Sequence, residues 1–417
     1  KAPSLSLPPS SLMAVFLWAL ALAVASLVDA DEGGGEVAGS LSCPSGGALV
    51  PPPRYWIDVA RFKSGETEVV EAALEAVGAV EGGKALSKGS PLGHESRSLG
   101  EWDVYWSPTR TCLKAVGRLR EGQHVCCIPG LRQVTKKSEL INSLLRALGP
   151  NRTFDIVPRT HSMVDDDDRQ AWKAYMEAQA AAGGGTSTWV LKTNAHLAKG
   201  LRVVTTEEAL DGLAKPPGGS SVLAPKTGKG SYLLAQEYIR NPLLIGGRKF
   251  GVRIWVLLSS VSPMRAYISQ RGLVLFSTEE YDAAEGGGMG STDDESWRTR
   301  LLTNAAVNDN GAVWTMGQFR EYLEEHAPGG WAPFWVRARE IVSSVLASAA
   351  AGLRAEMDLA GGMAAGSAFQ LLGLDLLLDS AWRPWLLEAN GTPSMASKSE
   401  EVAAEKRMML TDLFTLV

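Results

Sequence analysis

Along Ile239–Leu258 (IRNPLLIGGRKFGVRIWVLL) apolar and polar positions alternate with a period of two, the spacing of a strand. Phe250, Val252, Ile254 and Val256 share one face; Lys249, Gly251, Arg253 and Trp255 share the other. The first face reads as core. The second carries two cations beside a residue with no side chain, which fits an edge strand with a solvated charged face until other parts of the chain bear on it. Elsewhere the pattern predicts a mixed α/β chain. Strand spacing recurs at Tyr55–Val59, Trp102–Trp106, Thr188–Lys192, Leu201–Val204 and Tyr232–Ile239, and the strand of the opening stretch runs from Lys249 to Ser259. Helical spacing covers Glu66–Val80, then Ser138–Leu148 with a stop at Gly149-Pro150, then the stretch from Asp165 through Ala180. It returns after the Thr205-Thr206 cap, at Trp335–Leu359 and at Glu400–Val417. Met264–Phe276 reads as a hairpin turning near Gln270-Arg271-Gly272, and Phe369–Asp379 with Pro384–Asn390 as another around Ser380.

At 417 residues, with 45% hydrophobic and 21% charged side chains, the chain is long enough for two or three subdomains around a sizeable core. A net charge of −5 argues against a nucleic-acid partner or a polybasic membrane surface, so any anion must be met by local clusters. Cys43, Cys112, Cys126 and Cys127 have no zinc spacing; they read as buried thiols, with a bridge from Cys112 if the chain is secreted. Leu12–Val28 is an uncharged apolar run followed by Val28-Asp29-Ala30, the outline of a signal peptide or anchor over residues 1–30. A Gly/Ser/Pro-rich linker follows at 31–53, and Asn151-Arg-Thr is a glycosylation sequon if the chain enters the secretory pathway. The acidic run Asp165–Asp168 reads as favourable charge at a helix start rather than a metal site.

Three separated stretches fit the binding of a nucleotide triphosphate and its metal. In Trp189–Val204 a strand delivers Lys192 and a loop carries Lys199-Gly200, an ammonium and backbone N–H groups that converge on phosphate. Leu233–Pro242 runs a strand into a turn just before the opening cations. In Phe369–Met395, Asp375, Glu388 and Asn390 are hard oxygen ligands on two adjacent strands, the partial shell that Mg²⁺ asks for beside phosphates. Singly, Lys192, Asp375 or His161 is an ordinary surface, cap or core residue; their order lifts them.

That order resembles the tubulin–tyrosine ligase-like family, amino-acid ligases of the ATP-grasp fold. The residues that carry it are Lys192, Gln236-Glu-Tyr-Ile-Arg-Asn-Pro-Leu-Leu-Ile245, Arg248-Lys-Phe-Gly-Val-Arg253, Leu301-Leu-Thr-Asn304, Phe369-Gln-Leu-Leu-Gly-Leu-Asp375 and Leu387-Glu-Ala-Asn-Gly-Thr-Pro393. The resemblance implies an α/β ATP-grasp fold with a small N-terminal α/β domain at 54–135. The nucleotide would lie between a central subdomain at 136–241 and a C-terminal one at 242–417. It implies that Lys137, Lys192, Lys199 and Lys249 meet phosphates or ribose, with Thr303 and Asn304 also at the nucleotide. Gln236, Glu237, Tyr238 and Ile239 would form the adenine hinge. Arg253 would meet the γ-phosphate or an acyl phosphate, with Lys249 beside it, and Asp375, Glu388 and Asn390 would hold Mg²⁺. The implied cofactors are ATP and Mg²⁺, and the partners are tubulin or another acidic-tailed protein and free glutamate, glycine or tyrosine, with the chain a monomer. The implied place is the cytoplasm, cytoskeleton or cilium, against the secretory pathway if residues 1–30 are a signal peptide.

The sequence departs from the family pattern at four positions. Gly251 stands for an acid, Leu275 for an arginine, Leu301 for a histidine and Gln370 for a glutamate. Two readings follow: a ligase with an altered donor or acceptor, or a nucleotide-binding pseudoenzyme that serves as an interaction module. With no basic C-terminal extension, an acidic tail would be met by Arg240, Arg248, Arg265 and Arg271.

Overall fold

Two sheets carry the chain. The computed structural model describes residues 51–57, 65–84, 102–107, 119–183, 187–193, 201–214, 223, 232–281, 312–361, 366–397 and 399–417. The apolar run at 12–28, most of the 31–53 linker, and Lys199, Leu301, Thr303 and Asn304 lie outside the described residues. Among the described residues no helix is long and apolar enough to cross a membrane.

The strands are β1 (Arg54–Ile57), β2 (Val80–Lys84), β3 (Val104–Trp106), β4 (His124–Cys126), β5 (Thr160–Ser162), β6 (Thr188–Lys192) and β7 (Leu201–Thr205). They continue as β8 (Leu234–Glu237), β9 (Leu244–Ile245), β10 (Arg248–Val261), β11 (Met264–Phe276), β12 (Val313–Thr315), β13 (Ala368–Leu378) and β14 (Pro384–Asn390). The helices are α1 (Glu66–Ala76), α2 (Arg132–Thr135), α3 (Lys137–Ile156), α4 (Asp166–Ala181), α5 (Thr206–Ala214), α6 (Met316–His326), α7 (Trp331–Leu359) and α8 (Glu400–Leu416). The large sheet runs β12-β11-β10-β13-β4-β3-β1-β2, with β14 on β13 and β9 on β10; the small one is β5-β8-β6-β7.

The opening stretch becomes β10, and it is no edge strand: β11 and β13 pair with it on either side. Phe250, Val252, Ile254 and Val256 are fully buried in a layer with Phe319 of α6 and Ile341 and Val345 of α7. On the opposite face Trp255 and Leu257 pack with Met409 and Leu410 of α8. Both faces are therefore filled beyond residue 254, and Lys249–Arg253 is the stretch left to face a cleft. In the small sheet Trp189, Leu191 and Ala235 pack on Trp172 and Met176 of α4, which leaves Val190, Lys192 and Gln236 on the other face.

Several predicted elements shift. The first helix stops at Ala76, and Val80 opens β2 instead of closing the helix. Gly149 breaks helical geometry (φ 72°, ψ 170°), yet Pro150 starts a new turn at once and α3 goes on to Ile156, because proline suits a first helical position. Asp165 caps α4, its side chain accepting from the Asp168 N–H. No hairpin turns at Gln270-Arg271-Gly272: Met264–Phe276 is one strand, and the turn lies at Ser262-Pro263. Gly272 is there for close approach, since a Cβ on it would lie 2.6 Å from the Arg253 carbonyl oxygen and against Met316. Cys126 is a buried free thiol pushed up to about 12 by its burial, while Cys127 is disulfide-bonded.

Because that clash is with backbone, Gly272→Ala is expected to destabilise the protein by about 1–3 kcal/mol. Urea unfolding followed by tryptophan fluorescence measures it, and an unchanged midpoint would show that β10 and β11 have more freedom than this packing allows.

Candidate active site

Register places the site. Arg253 on β10 is the cross-strand partner of Asp375 on β13, and Asp375 is the partner of Glu388 on β14. The three side chains thus form one row across three strands. Arg253 grips Asp375 bidentately, Nε to Oδ1 and Nη2 to Oδ2, the latter at 2.8 Å. Asn390, two residues beyond Glu388, directs its Nδ2 to Asp375 Oδ2 at 3.1 Å and to Glu388 Oε1 at 3.4 Å. Lys137, at the start of α3, sits 3.5 Å from Glu388 Oε2.

The small sheet supplies the facing wall. Lys192 Nζ donates to Gln236 Oε1 at 2.5 Å, and Gln236 Nε2 donates to Thr160 Oγ1 at 2.9 Å, so the amide is fixed by a partner on each side. Lys249 Nζ donates to Tyr238 Oη at 3.0 Å and lies 4.5 Å from the Tyr238 ring centroid. Glu237, Tyr238 and Ile239 line a cavity of about 320 Å³ with Phe154, Pro158 and Trp385, the last oriented by an indole bond to Asp379 Oδ2 at 2.9 Å. The structure therefore brings together Lys137, Lys192, Gln236, Tyr238, Lys249, Arg253, Asp375, Glu388 and Asn390.

Burial sets the electrostatics, and neighbouring charges adjust it. Burial lowers Lys249 to about 7, with Lys192 adding repulsion. Burial also lowers Lys192 to about 8, where attraction to Glu388 works against the loss and Lys137 adds to it. Asp375 is raised to about 6 by burial in spite of Arg253, with Glu388 adding to the rise. Burial opposes the charge on Glu388 too, but Lys137, Lys192 and Arg253 together outweigh it and hold this carboxyl below its ordinary range. Arg253 and Asp375 keep 20% and 22% of their side chains exposed, so water in the cleft screens the pair. Three lysines and Arg253 against two carboxylates leave an excess of cationic groups that would suit a polyanion.

The donor set also fits a divalent cation. Asp375 and Glu388 present carboxylate oxygens in one cluster to which Asn390 turns its amide nitrogen; with that amide turned over to offer its oxygen, the three would form a partial shell that Mg²⁺ completes with phosphate oxygens and water. Among the described residues no group of three or more His, Cys, Asp or Glu side chains is placed to hold a metal. Two carboxylates and an amide would suit a metal that takes its remaining ligands from a substrate.

The stretch that builds the cleft matches a known family. The Tubulin-tyrosine ligase family model matches residues 118–417, which include every element of the cleft. This chain belongs to the tubulin-tyrosine ligase family. Family relatives include Tubulin polyglutamylase TTLL13 of Mus musculus, 27% identical over 76% of this chain and 38% of its own length. Probable tubulin polyglutamylase TTLL2 of Homo sapiens is 24% identical over 89% of this chain and 57% of its own, and Probable tubulin polyglutamylase TTLL9 of Rattus norvegicus is 25% identical over 78% and 74%. The chain thus covers less than two thirds of several of these relatives.

Within the tubulin-tyrosine ligase frame the departures acquire positions. Gly251 and Leu275 are direct cross-strand partners, with Val313 beyond Leu275 on β12. An acid and a guanidinium there would face each other; here both are absent together and the row is apolar. Gln370 lies outside the cleft, buried, its amide donating to the Gly391 carbonyl, which a carboxylate could not do. The proposed arginine groove is not assembled. Arg271 is engaged by Glu405 and Asp412 of α8, Arg248 by the Ser277 and Thr278 carbonyls, and Arg265 sits seven register positions past Arg253, opposite Ser260.

Lys406 was not picked out from the sequence of this ligase-family chain. It is 6% exposed, donates to the Ala396 carbonyl at 2.6 Å, and is lowered to about 8 by burial, by the nearby Arg253 charge, and against the pull of Glu66. Its signal was readable: Lys406, Met409, Leu410, Leu413 and Phe414 share helical spacing, so a lysine stands in an apolar seam.

Lys249 and Lys192 hold fewer protons folded than unfolded between pH 7 or 8 and their ordinary value near 10.5. Stability of the nucleotide-free protein should therefore rise as pH increases above about 7. Lys249→Met is expected to raise the urea midpoint at pH 7 and flatten that rise, because a buried charge gives way to an apolar stem. A lower midpoint than wild type would contradict the assigned environment.

Proposed function

We propose that this chain is an ATP- and Mg²⁺-dependent ligase that joins an amino acid to a protein carboxylate, in the manner of the tubulin polyglutamylases it is similar to. The observation that carries the reading is the Arg253–Asp375–Glu388 row, faced by Lys137, Lys192 and Lys249 within a chain of this family. Trp385 and the Glu237–Ile239 hinge bound a slot suited to the flat adenine ring, and the three lysines suit the phosphates. Asp375, Glu388 and Asn390 would hold Mg²⁺, whose charge would offset that of the phosphates.

The chemistry needs no nucleophilic side chain. A substrate carboxylate oxygen attacks the γ-phosphorus, the bond to the β-phosphate oxygen breaks, and ADP leaves an acyl phosphate. The incoming amine then attacks the acyl carbon, loses a proton, and expels phosphate to leave an amide. In this reading Arg253 would donate to the transferred phosphoryl group as negative charge develops on it, and a donor of that kind is worth roughly 3 kcal/mol in the transition state.

A second reading draws on the Gly251–Leu275 pair, whose apolar character leaves that row without acid or guanidinium. In it the cleft binds nucleotide and the chain acts as an interaction module. The test is calorimetric titration with ATP and Mg²⁺, followed by ADP release with glutamate, glycine or tyrosine and a tubulin-tail peptide. Turnover that depends on amino acid and peptide, and falls at least 100-fold in Arg253→Ala, is the expected result. Binding without turnover for every donor would favour the interaction module, and absence of binding would remove both readings. Restoring Gly251→Asp and Leu275→Arg together should shift donor preference or rate more than either change alone, since the two positions are in contact.

A further inference from the structure

Past Asn390 the chain leaves β14 and runs through Gly391–Ser397 without regular secondary structure, yet this loop is held at several points. Gln370 of β13 donates to the Gly391 carbonyl, and a Cβ on Gly391 would lie 2.8 Å from Leu131 Cδ2. Pro393 packs over Gly373 beside Arg253: a Cβ on Gly373 would meet Arg253 Cδ at 3.0 Å and Pro393 Cβ at 3.1 Å. The last anchor comes from the other end of the chain. Glu66, the first residue of α1 and only 7% exposed, accepts at one carboxylate oxygen from the Ser394 hydroxyl, the Met395 N–H at 3.1 Å and the Ala396 N–H at 3.4 Å. The Lys406 ammonium holds the Ala396 carbonyl from the opposite side.

A buried carboxylate is costly unless its lone pairs are used, and hydrogen bonds to an ionised group are about twice as strong as neutral ones. Placing one at this point spends that strength on two backbone N–H groups of the loop that directly follows Glu388 and Asn390 and rests on Arg253. Groups that orient the ligands of a metal commonly govern its affinity as much as their own contacts would suggest.

We propose that Glu66, braced by Lys406, is a positioning residue: it fixes the Gly391–Ala396 loop so that Asn390 and Arg253 keep their places in the cation- and phosphate-binding row. The proposal rests on the nucleotide reading of that row. The element α1 thereby becomes part of the site, although Ser394 lies 328 residues away in sequence.

The test measures Mn²⁺ affinity of the full chain in the presence of ATP, together with hydrogen exchange at the Met395 and Ala396 amides. Glu66→Ala is expected to weaken Mn²⁺ binding by about ten-fold or more and to deprotect both amides. Glu66→Gln keeps the acceptor oxygen and should stay within about three-fold of wild type. Val70→Ala, which removes fully buried volume from the same helix but none of the loop's hydrogen bonds, should lower stability and leave Mn²⁺ affinity unchanged. Wild-type affinity in Glu66→Ala, or equal weakening in Val70→Ala, would overturn the positioning role alone. If wild type itself binds no Mn²⁺ with ATP, the ligase reading falls and the proposal falls with it.

Discussion

The bidentate contact between Arg253 and Asp375 is the interaction on which the rest of the site depends. It spans the pair β10 and β13 at the centre of the large sheet, where a guanidinium and a carboxylate in direct register align with little freedom. From that fixed pair the row extends by register alone to Glu388, and by one short amide to Asn390. The apolar layer of Phe250, Val252 and Ile254 behind it leaves no room for the strand to turn over, since a one-residue slip would drive Arg253 into the core. Packing and chemistry therefore specify the same register.

Charge then divides the cleft into two regions. On the side of the small sheet, Lys192 and Lys249 are buried, and set near like charge, so that they shed part of their proton affinity, which a bound polyanion would restore. On the side of β11 and β12, Gly251, Leu275 and Val313 make an apolar row next to Arg253. The lysine-bearing half keeps the cations that the family resemblance implies, whereas the neighbouring half has Gly251 and Leu275 where an acid and an arginine would face each other. Loss of both partners avoids the larger penalty of leaving one charge without its mate.

Much of this was legible in the alternation of β10, which put Lys249 and Arg253 on one face, and in the spacing of Glu388 and Asn390. The site's cross-strand partnerships were not, because register is set by long-range pairing rather than by any local signal. The hairpin expected at Gln270-Arg271-Gly272 failed for a related reason: Gly272 answers to the backbone of Arg253 and the side chain of Met316, not to a turn. Arg271, counted as a groove cation, is taken up by Glu405 and Asp412. Glu66 carried no sequence signal at all, as its partners lie at the far end of the chain, while Lys406 stood out of place in a helical seam that could have been read.

The central claim is that the row of Arg253, Asp375, Glu388 and Asn390 is where a nucleotide and its metal meet. The most direct measurement is anomalous diffraction from crystals grown with Mn²⁺ and a non-hydrolysable ATP analogue. The account predicts a manganese peak bridging Asp375, Glu388 and Asn390, with the terminal phosphate toward Arg253. Nucleotide bound with its phosphates away from this row, or manganese bound elsewhere, would contradict it.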